Sequence, residues 1–322
     1  MIGGLLVLLS GIVYLRVRGY APDILGLEKF MDFGFIKSYL ANGGFPGKDV
    51  WWAGAGINYY SFGHMVVAWI IKLLRLPDGV GYNVILALIF GVSCGLCYWI
   101  VRLLIGERSG WRGVMAGFIG TFLVMLGGNS HSLWYLITNK SLANYWYADA
   151  TRFIHNTIHE FPSYSFVVSD LHGHVLDLPF VLLFIGLLVK WTKKSSWWLC
   201  GLLGTLLGIM MMTNTWDALI YGLMLIVTSV ILLVTKRRNI FELVGQGLIV
   251  LSVLIITSFP WWISFRSISE GIRLVKDRTP LWQLGVLWGG HLSIVGMATM
   301  INCTFQIAHF RFQRHCRGHS EQ

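Results

Sequence analysis

Nine stretches of this 322-residue chain are apolar and long enough to be candidates for crossing a lipid bilayer, with little sequence between most of them. They fall near residues 1–17, 59–75, 81–105, 112–128, 175–191, 197–213, 217–235, 241–263 and 284–305. A helix rises about 1.5 Å per residue and the hydrocarbon core is about 30 Å thick, so roughly 20 apolar residues reach across it. With 55% hydrophobic and 12% charged residues, the chain holds more apolar sequence than a water-soluble core needs. The expected class is an all-α polytopic membrane protein of about eight transmembrane helices, one domain over 1–308, with a basic tail over 309–322.

The connectors set an orientation. KKSS (193–196), KRRN (236–239), the stretch from Arg102 through Arg108 to Arg112, and the tail with Arg311, Arg314 and Arg317 are all basic, which assigns them to the cytoplasm. If all nine runs crossed, the loops 18–58 and 129–174 would lie on opposite sides. Letting the run 59–75 (YYSFGHMVVAWIIKLLR) lie flat in the interface removes the conflict, and its His64, Lys72 and Arg75 suit that position. Both termini are then cytoplasmic, and that side carries 12 Lys/Arg against the acids Glu107, Glu242 and Glu321. The outer face receives the loops 18–80, 129–174 and 264–283 and the NTWD turn at 214–217. Met1 leads almost directly into MIGGLLVLLSGIVYL, which has neither the basic start nor the cleavage site of a signal peptide and is expected to stay as a first span.

Two chemistries drop out early. The formal charge of +10 would suit nucleic acid, but basic cytoplasmic loops account for it, so no nucleic-acid partner is expected. Cys94 and Cys97 form a CxxC inside an apolar run, where small packing residues explain them better than a redox or zinc site.

The polar residues with chemical potential gather in the outer segments. In PDILGLEKFMDFGF, Glu28 and Asp32 are four apart and share one face of a helix, as a general base and a metal ligand or as a solvated pair. FPGKDVWWAGAGINYYSFGHM is a turn-rich loop in which Tyr59, Tyr60 and His64 can bind substrate or form an interfacial belt. EFPSYSFVVSDLHGHVLDLPF brings Glu160, Asp170, His172 and His174 toward a span. The D-x-H-x-H spacing suits a divalent metal such as Mg or Mn or a phosphate, and an extended backbone would point both histidines the same way. Helix-capping histidines are the alternative. Asp177 and Asp217 enter spans and need polar partners there. Arg266, Arg273, Lys276 and Arg278 form a basic cluster suited to a lipid phosphate, or a solvated loop with pairs such as Glu270 and Arg273.

The segments EKFMDFGF, FP..D.WWAG..INYYSFGH, EFPSYSFVVSDLHGHVLDLPF, TNTWD and RTPL, in that order from about residue 20 to about 290, resemble the uncharacterised prokaryotic membrane family Chlor_Arch_YYY. Two positions depart from its pattern: Ser61 stands where a third Tyr is usual, and Gly173 where Pro is common. Members of that family are usually longer, and the basic tail from 309 is atypical of it. The layout is in turn similar to GT-C glycosyltransferases, membrane enzymes that use a lipid-linked sugar phosphate at the outer face. That resemblance implies transfer of a sugar from a polyprenyl-phosphate donor. Glu28 or Asp32 would be the base, Asp170, His172 and His174 would hold a metal or the leaving phosphate, and Arg266, Arg273 and Arg278 would neutralise the lipid. The bilayer and the lipid-linked donor are the expected partners, and the oligomeric state stays open. A transporter or lipid-handling protein, with Asn214 and Asp217 lining a path, is the competing reading, and a non-catalytic assembly subunit a third. The absence of internal repeats and the crowding of polar groups at one interface favour the enzyme.

Overall fold

The structure is a computed structural model that describes residues 2–106, 109–267, 271, 274–297 and 300. The described residues are helical, with no strand among them beyond one isolated bridge between Lys48 and Gly56. In chain order the helices are α1 (Ile2–Arg18), α2 (Lys29–Ala41), α3 (Phe62–Leu74), α4 (Asp78–Ile105), α5 (Gly110–Met125) and α6 (His131–Asn139). A 3₁₀ turn at Tyr147–Thr151 precedes α7 (Pro162–Val168), α8 (Gly173–Lys193), α9 (Trp197–Thr213), α10 (Thr215–Val234) and α11 (Ile240–Trp262), and 281–297 are again helical. Eight of the nine apolar runs thus coincide with α1, α3, α4, α5 and α8 to α11. The ninth, 284–305, is described only in part, and the tail lies outside the described residues, as do Glu107, Arg108, Glu270 and Arg273.

Among the described residues four helices, α4, α8, α10 and α11, are long and apolar enough to cross a membrane. The apolar helices α3, α5 and α9 are shorter, and α3, in the run at 59–75, has only 13 residues, about 20 Å at 1.5 Å per residue. Tyr59 and Tyr60 stay in the preceding loop, and Arg75, in the left-handed region with φ 51°, ends the helix two residues before Pro77. His64, Val67, Ala68 and Ile71 recur at helical spacing on its buried face, while Trp69, Leu73 and Leu74 are exposed.

The chain divides into two compact units, Met1–Leu126 with Ser165–Glu270, and Gly127–Tyr164 with Gly271–Gln322. In the first, α4 is central, packing on α1, α5 and α8. Next, α8 packs on α9, and α9 on α10 and α11. The crossing of α1 and α4 is close because Gly91 has no side chain: a Cβ there would lie 2.4 Å from the Val7 carbonyl oxygen. One apolar core joins α1 to α4 and α8, and a second joins α8 to α11. Helices α10 and α11 keep most of their apolar surface outside these cores, with 17% and 11% of their central windows buried against 67% for α4. Such faces need lipid or a neighbour.

The second unit is built on aromatic packing. His131, Trp134, Phe153 and Trp282 meet in tilted and edge-on ring contacts at 4.6–5.9 Å. Gln283 Nε2 donates to the Phe153 carbonyl at 3.0 Å, tying the helix at 281–297 to the segment before α7.

Candidate functional site

Helix α2 opens from a tight reversal: Gly26 (φ 78°) and Leu27 (φ 49°) are both left-handed, and Glu28 caps the helix. The Asp32 amide donates to the Glu28 carbonyl at 3.1 Å, so the two acids stand one turn apart on one face, as their spacing predicts. Their surroundings differ sharply. Asp32 is fully buried, whereas the Glu28 side chain is 61% exposed.

Two histidines converge on Asp32. From α3, His64 Nε2 lies 3.0 Å from Asp32 Oδ1, neither side chain touching solvent, with the His64 ring edge-on to Phe35. From the segment before α8, His172 Nδ1 lies 3.4 Å from the same Asp32 oxygen and 3.1 Å from Glu28 Oε2. His172 is held in place by the fold. Tyr14 Oη donates to the Phe166 carbonyl at 2.7 Å, and the Leu171 amide donates to Tyr82 Oη at 2.9 Å. His172 is then the N-cap of α8, and its carbonyl accepts the first amides of that helix.

The other side of His172 faces tyrosines. The 42–61 loop is pinned to α2 by Ser38 Oγ donating to the Lys48 carbonyl and by a 2.7 Å bond between the Tyr39 and Ser61 hydroxyls. Ser61, one of the departures from the family pattern, is thus fully buried and engaged. The loop delivers Tyr59 Oη to 3.3 Å from His172 Nε2, and the same phenol donates to Tyr60 Oη at 2.6 Å. Tyr60 fits there because residue 173 is glycine: a Cβ would lie 2.7 Å from the Tyr60 ring and 2.7 Å from the Thr213 carbonyl oxygen.

The electrostatics follow. Burial alone pushes the Asp32 carboxyl up, but the imidazole of His172 beside it and the hydrogen bond from His64 outweigh it and hold the group below its usual value. Burial pushes the His172 imidazole down, yet the close Asp32 carboxylate and the Glu28 charge outweigh that and raise it. Both His172 nitrogens face acceptors, carboxylates at Nδ1 and a phenol oxygen at Nε2 whose own proton goes to Tyr60, so the geometry suits an imidazolium. A cation at a helix N-terminus costs about 0.3–1 kcal/mol. A hydrogen bond to a charged group contributes about 1.5–3 kcal/mol, so the carboxylates prevail. Burial, then the hydrogen bond to Tyr60, pushes the Tyr59 phenol up, which keeps it a donor.

The expected site residues therefore separate. Glu28, Asp32, Tyr59, Tyr60, His64 and His172 form one cluster. His174 turns aside: its ring centroid is 5.5 Å from that of His172, but its Nε2 is 3.0 Å from Ser165 Oγ. The backbone is helical from Gly173, not extended, which is why the two rings diverge. Asp170 is buried two residues before His172. Among the described residues no three His, Cys, Asp or Glu side chains are arranged to hold a metal ion. Glu160, 3.7 Å from Arg152, and the exposed Arg278 belong to the second unit. Arg266 joins the first through its backbone: its amide donates to Asn58 Oδ1 at 2.8 Å and its carbonyl accepts from Asn58 Nδ2 at 2.9 Å. That clamp had no sequence signal, since the partners are 208 positions apart.

Asp177 of α8 is fully buried, and Asp217 of α10 accepts from Asn214 Nδ2 at 2.8 Å.

No curated protein and no solved structure matches the chain. A family model described as Uncharacterized membrane protein (DUF2298) matches residues 4–317, and the chain belongs to that membrane-protein family.

Proposed function

We propose that the protein is a GT-C-like glycosyltransferase that moves a sugar from a polyprenyl-phosphate donor at the outer face of the membrane. Its eight spans would be α1, α4, α5, α8, α9, α10, α11 and the helix beginning at 281, with α3 in the outer interface and both termini cytoplasmic. The observation that carries this is the convergence of Glu28, Asp32, His64, Tyr59 and His172 within hydrogen-bonding distances at the beginnings of α2 and α8.

Roles follow from exposure. Glu28 is the acid a substrate can reach, so it is the general base that takes the acceptor hydroxyl proton as the sugar carbon changes partners. Asp32 is too enclosed for that and instead holds His172 charged and oriented. The His172 imidazolium and the tyrosine pair then face the leaving phosphate, whose negative charge they offset. His64 steadies Asp32. No step is routed through a metal.

The test is transfer from a polyprenyl-phosphate sugar in proteoliposomes. Glu28→Gln should lower turnover by 100-fold or more with donor binding retained, in line with about 10²–10⁴ from general-base catalysis. Unchanged turnover in Glu28→Gln removes the base, and a wild type inert with every sugar donor removes the enzyme and returns the transporter reading. Cysteine labelling from outside should reach position 51 and miss position 194; the reverse would overturn the orientation.

A further inference from the structure

Between α10 and α11, floored by α9, runs an apolar groove of about 1000 Å³. Along α11 its lining extends from Leu243 to Trp262, about 28 Å at 1.5 Å per residue. That is close to the thickness of a hydrocarbon core. An apolar groove of that length has room for an extended hydrocarbon chain.

Its two ends differ. One is shut by a polar knot in which Trp191 Nε1 and Arg238 Nη1 each donate to Gln246 Oε1 at 3.1 Å and Gln246 Nε2 donates to Ser195 Oγ at 2.7 Å. A chain can end there but not pass through. The other end is walled by Trp261, Trp262, Phe265 and Tyr60. Tyr60 belongs to both places, since it takes the Tyr59 hydrogen bond beside His172. Arg266, exposed, follows Phe265, with its backbone clamped to Asn58 two positions ahead of Tyr60. The groove thus leads from apolar walls to Tyr60 of the histidine–tyrosine cluster, with the exposed Arg266 next in the chain after its lining residue Phe265, an order that matches a lipid phosphate on a long chain.

We propose that this groove binds the hydrocarbon chain of one anionic lipid, entering sideways from the bilayer between α10 and α11, with its phosphate at Arg266 and Tyr60. Identifying that lipid as the sugar donor rests on the transferase reading; the chain site stands on the groove itself.

The full chain in nanodiscs tests this with three probes: undecaprenyl phosphate, uncharged undecaprenol and phosphatidylglycerol. Gly222 lines the groove, and a Cβ on it meets nothing within 4 Å, so Gly222→Trp fills the space without a backbone clash. Undecaprenyl phosphate should bind at least tenfold more tightly than phosphatidylglycerol, and Gly222→Trp should weaken it at least tenfold with an unchanged melting temperature. Arg266→Glu should weaken the phosphate at least tenfold and leave undecaprenol within twofold. Phosphatidylglycerol binding as well as the polyprenyl phosphate makes the groove ordinary bilayer contact and overturns the proposal. So does unchanged binding in both variants, or loss of a dimer in Gly222→Trp, which would put a second copy there. Binding that follows these expectations while no variant or wild type transfers sugar keeps the chain site and removes the transferase.

Discussion

Asp32 Oδ1 accepts from His64 Nε2 at 3.0 Å where neither side chain is reached by solvent, and the same oxygen lies 3.4 Å from His172 Nδ1. One oxygen thus fixes residues from three separate segments, the start of α2, the start of α3 and the cap of α8. A carboxylate so placed has little freedom to collect a substrate proton, which leaves that work to Glu28.

Replacing Asp32 by Asn keeps the shape and removes the charge. Of the two carboxylates at its Nδ1, His172 then retains Glu28, whose exposed side chain is more screened by water. The His172 titration, followed by NMR of labelled histidine in detergent, should move down from its raised wild-type position. Stability near neutral pH should fall by about 1.5–3 kcal/mol. An unmoved His172 titration would mean that Asp32 does not set its charge.

The same pair gives stability a pH window. His172 is raised in the folded protein, so its contribution is complete below the unfolded value near 6.5 and is lost as pH climbs through the folded value. Asp32 is lowered, so its contribution is complete above the unfolded value near 3.9 and is lost as pH falls through the folded one. Melting temperatures should be highest between these limits and decline on both sides. In Asp32→Asn the alkaline decline should start at lower pH, and an unchanged profile would separate the pair from stability.

Gly173 allows Tyr60 and the end of α9 to close on α8. A Cβ there would lie 2.7 Å from the Thr213 carbonyl oxygen, a backbone atom that moves only with its helix. Gly173→Ala should cost about 1–3 kcal/mol by overpacking, read as a lower melting temperature. It should also displace Tyr60 and weaken turnover, whereas a neutral result would show that α8 and α9 have slack here.

At the opposite end of the same helices, the Arg238 side chain is nearly buried, stacking on Trp191 at 4.6 Å and donating to Gln246. Arg238→Ala should destabilise by about 1–3 kcal/mol through the unpaired groups it leaves. Arg238→Lys should recover only part of this, since an ammonium cannot stack and fork as a guanidinium does. Equal melting temperatures for Ala, Lys and wild type would make the knot ornamental.

Much of the architecture was legible in the chain itself. Apolar runs bounded by basic connectors announce helices because the bilayer tolerates no unpaired backbone, and those runs became α1, α3, α4, α5 and α8 to α11. The brevity of α3 was legible too, from the shortness of its run and the His64, Lys72 and Arg75 it carries. The pairing of Glu28 with Asp32 followed from helical spacing, a local rule. What the chain could not disclose is which acid is buried, that His64 serves Asp32, or that His172 and His174 part company. Those outcomes depend on contacts between residues 32 to 208 positions apart, chosen by how α2, α3, α8 and the segment after α11 pack. Local sequence sets each helix and its apolar face. Only the packing of those faces decides which polar atoms are left to meet.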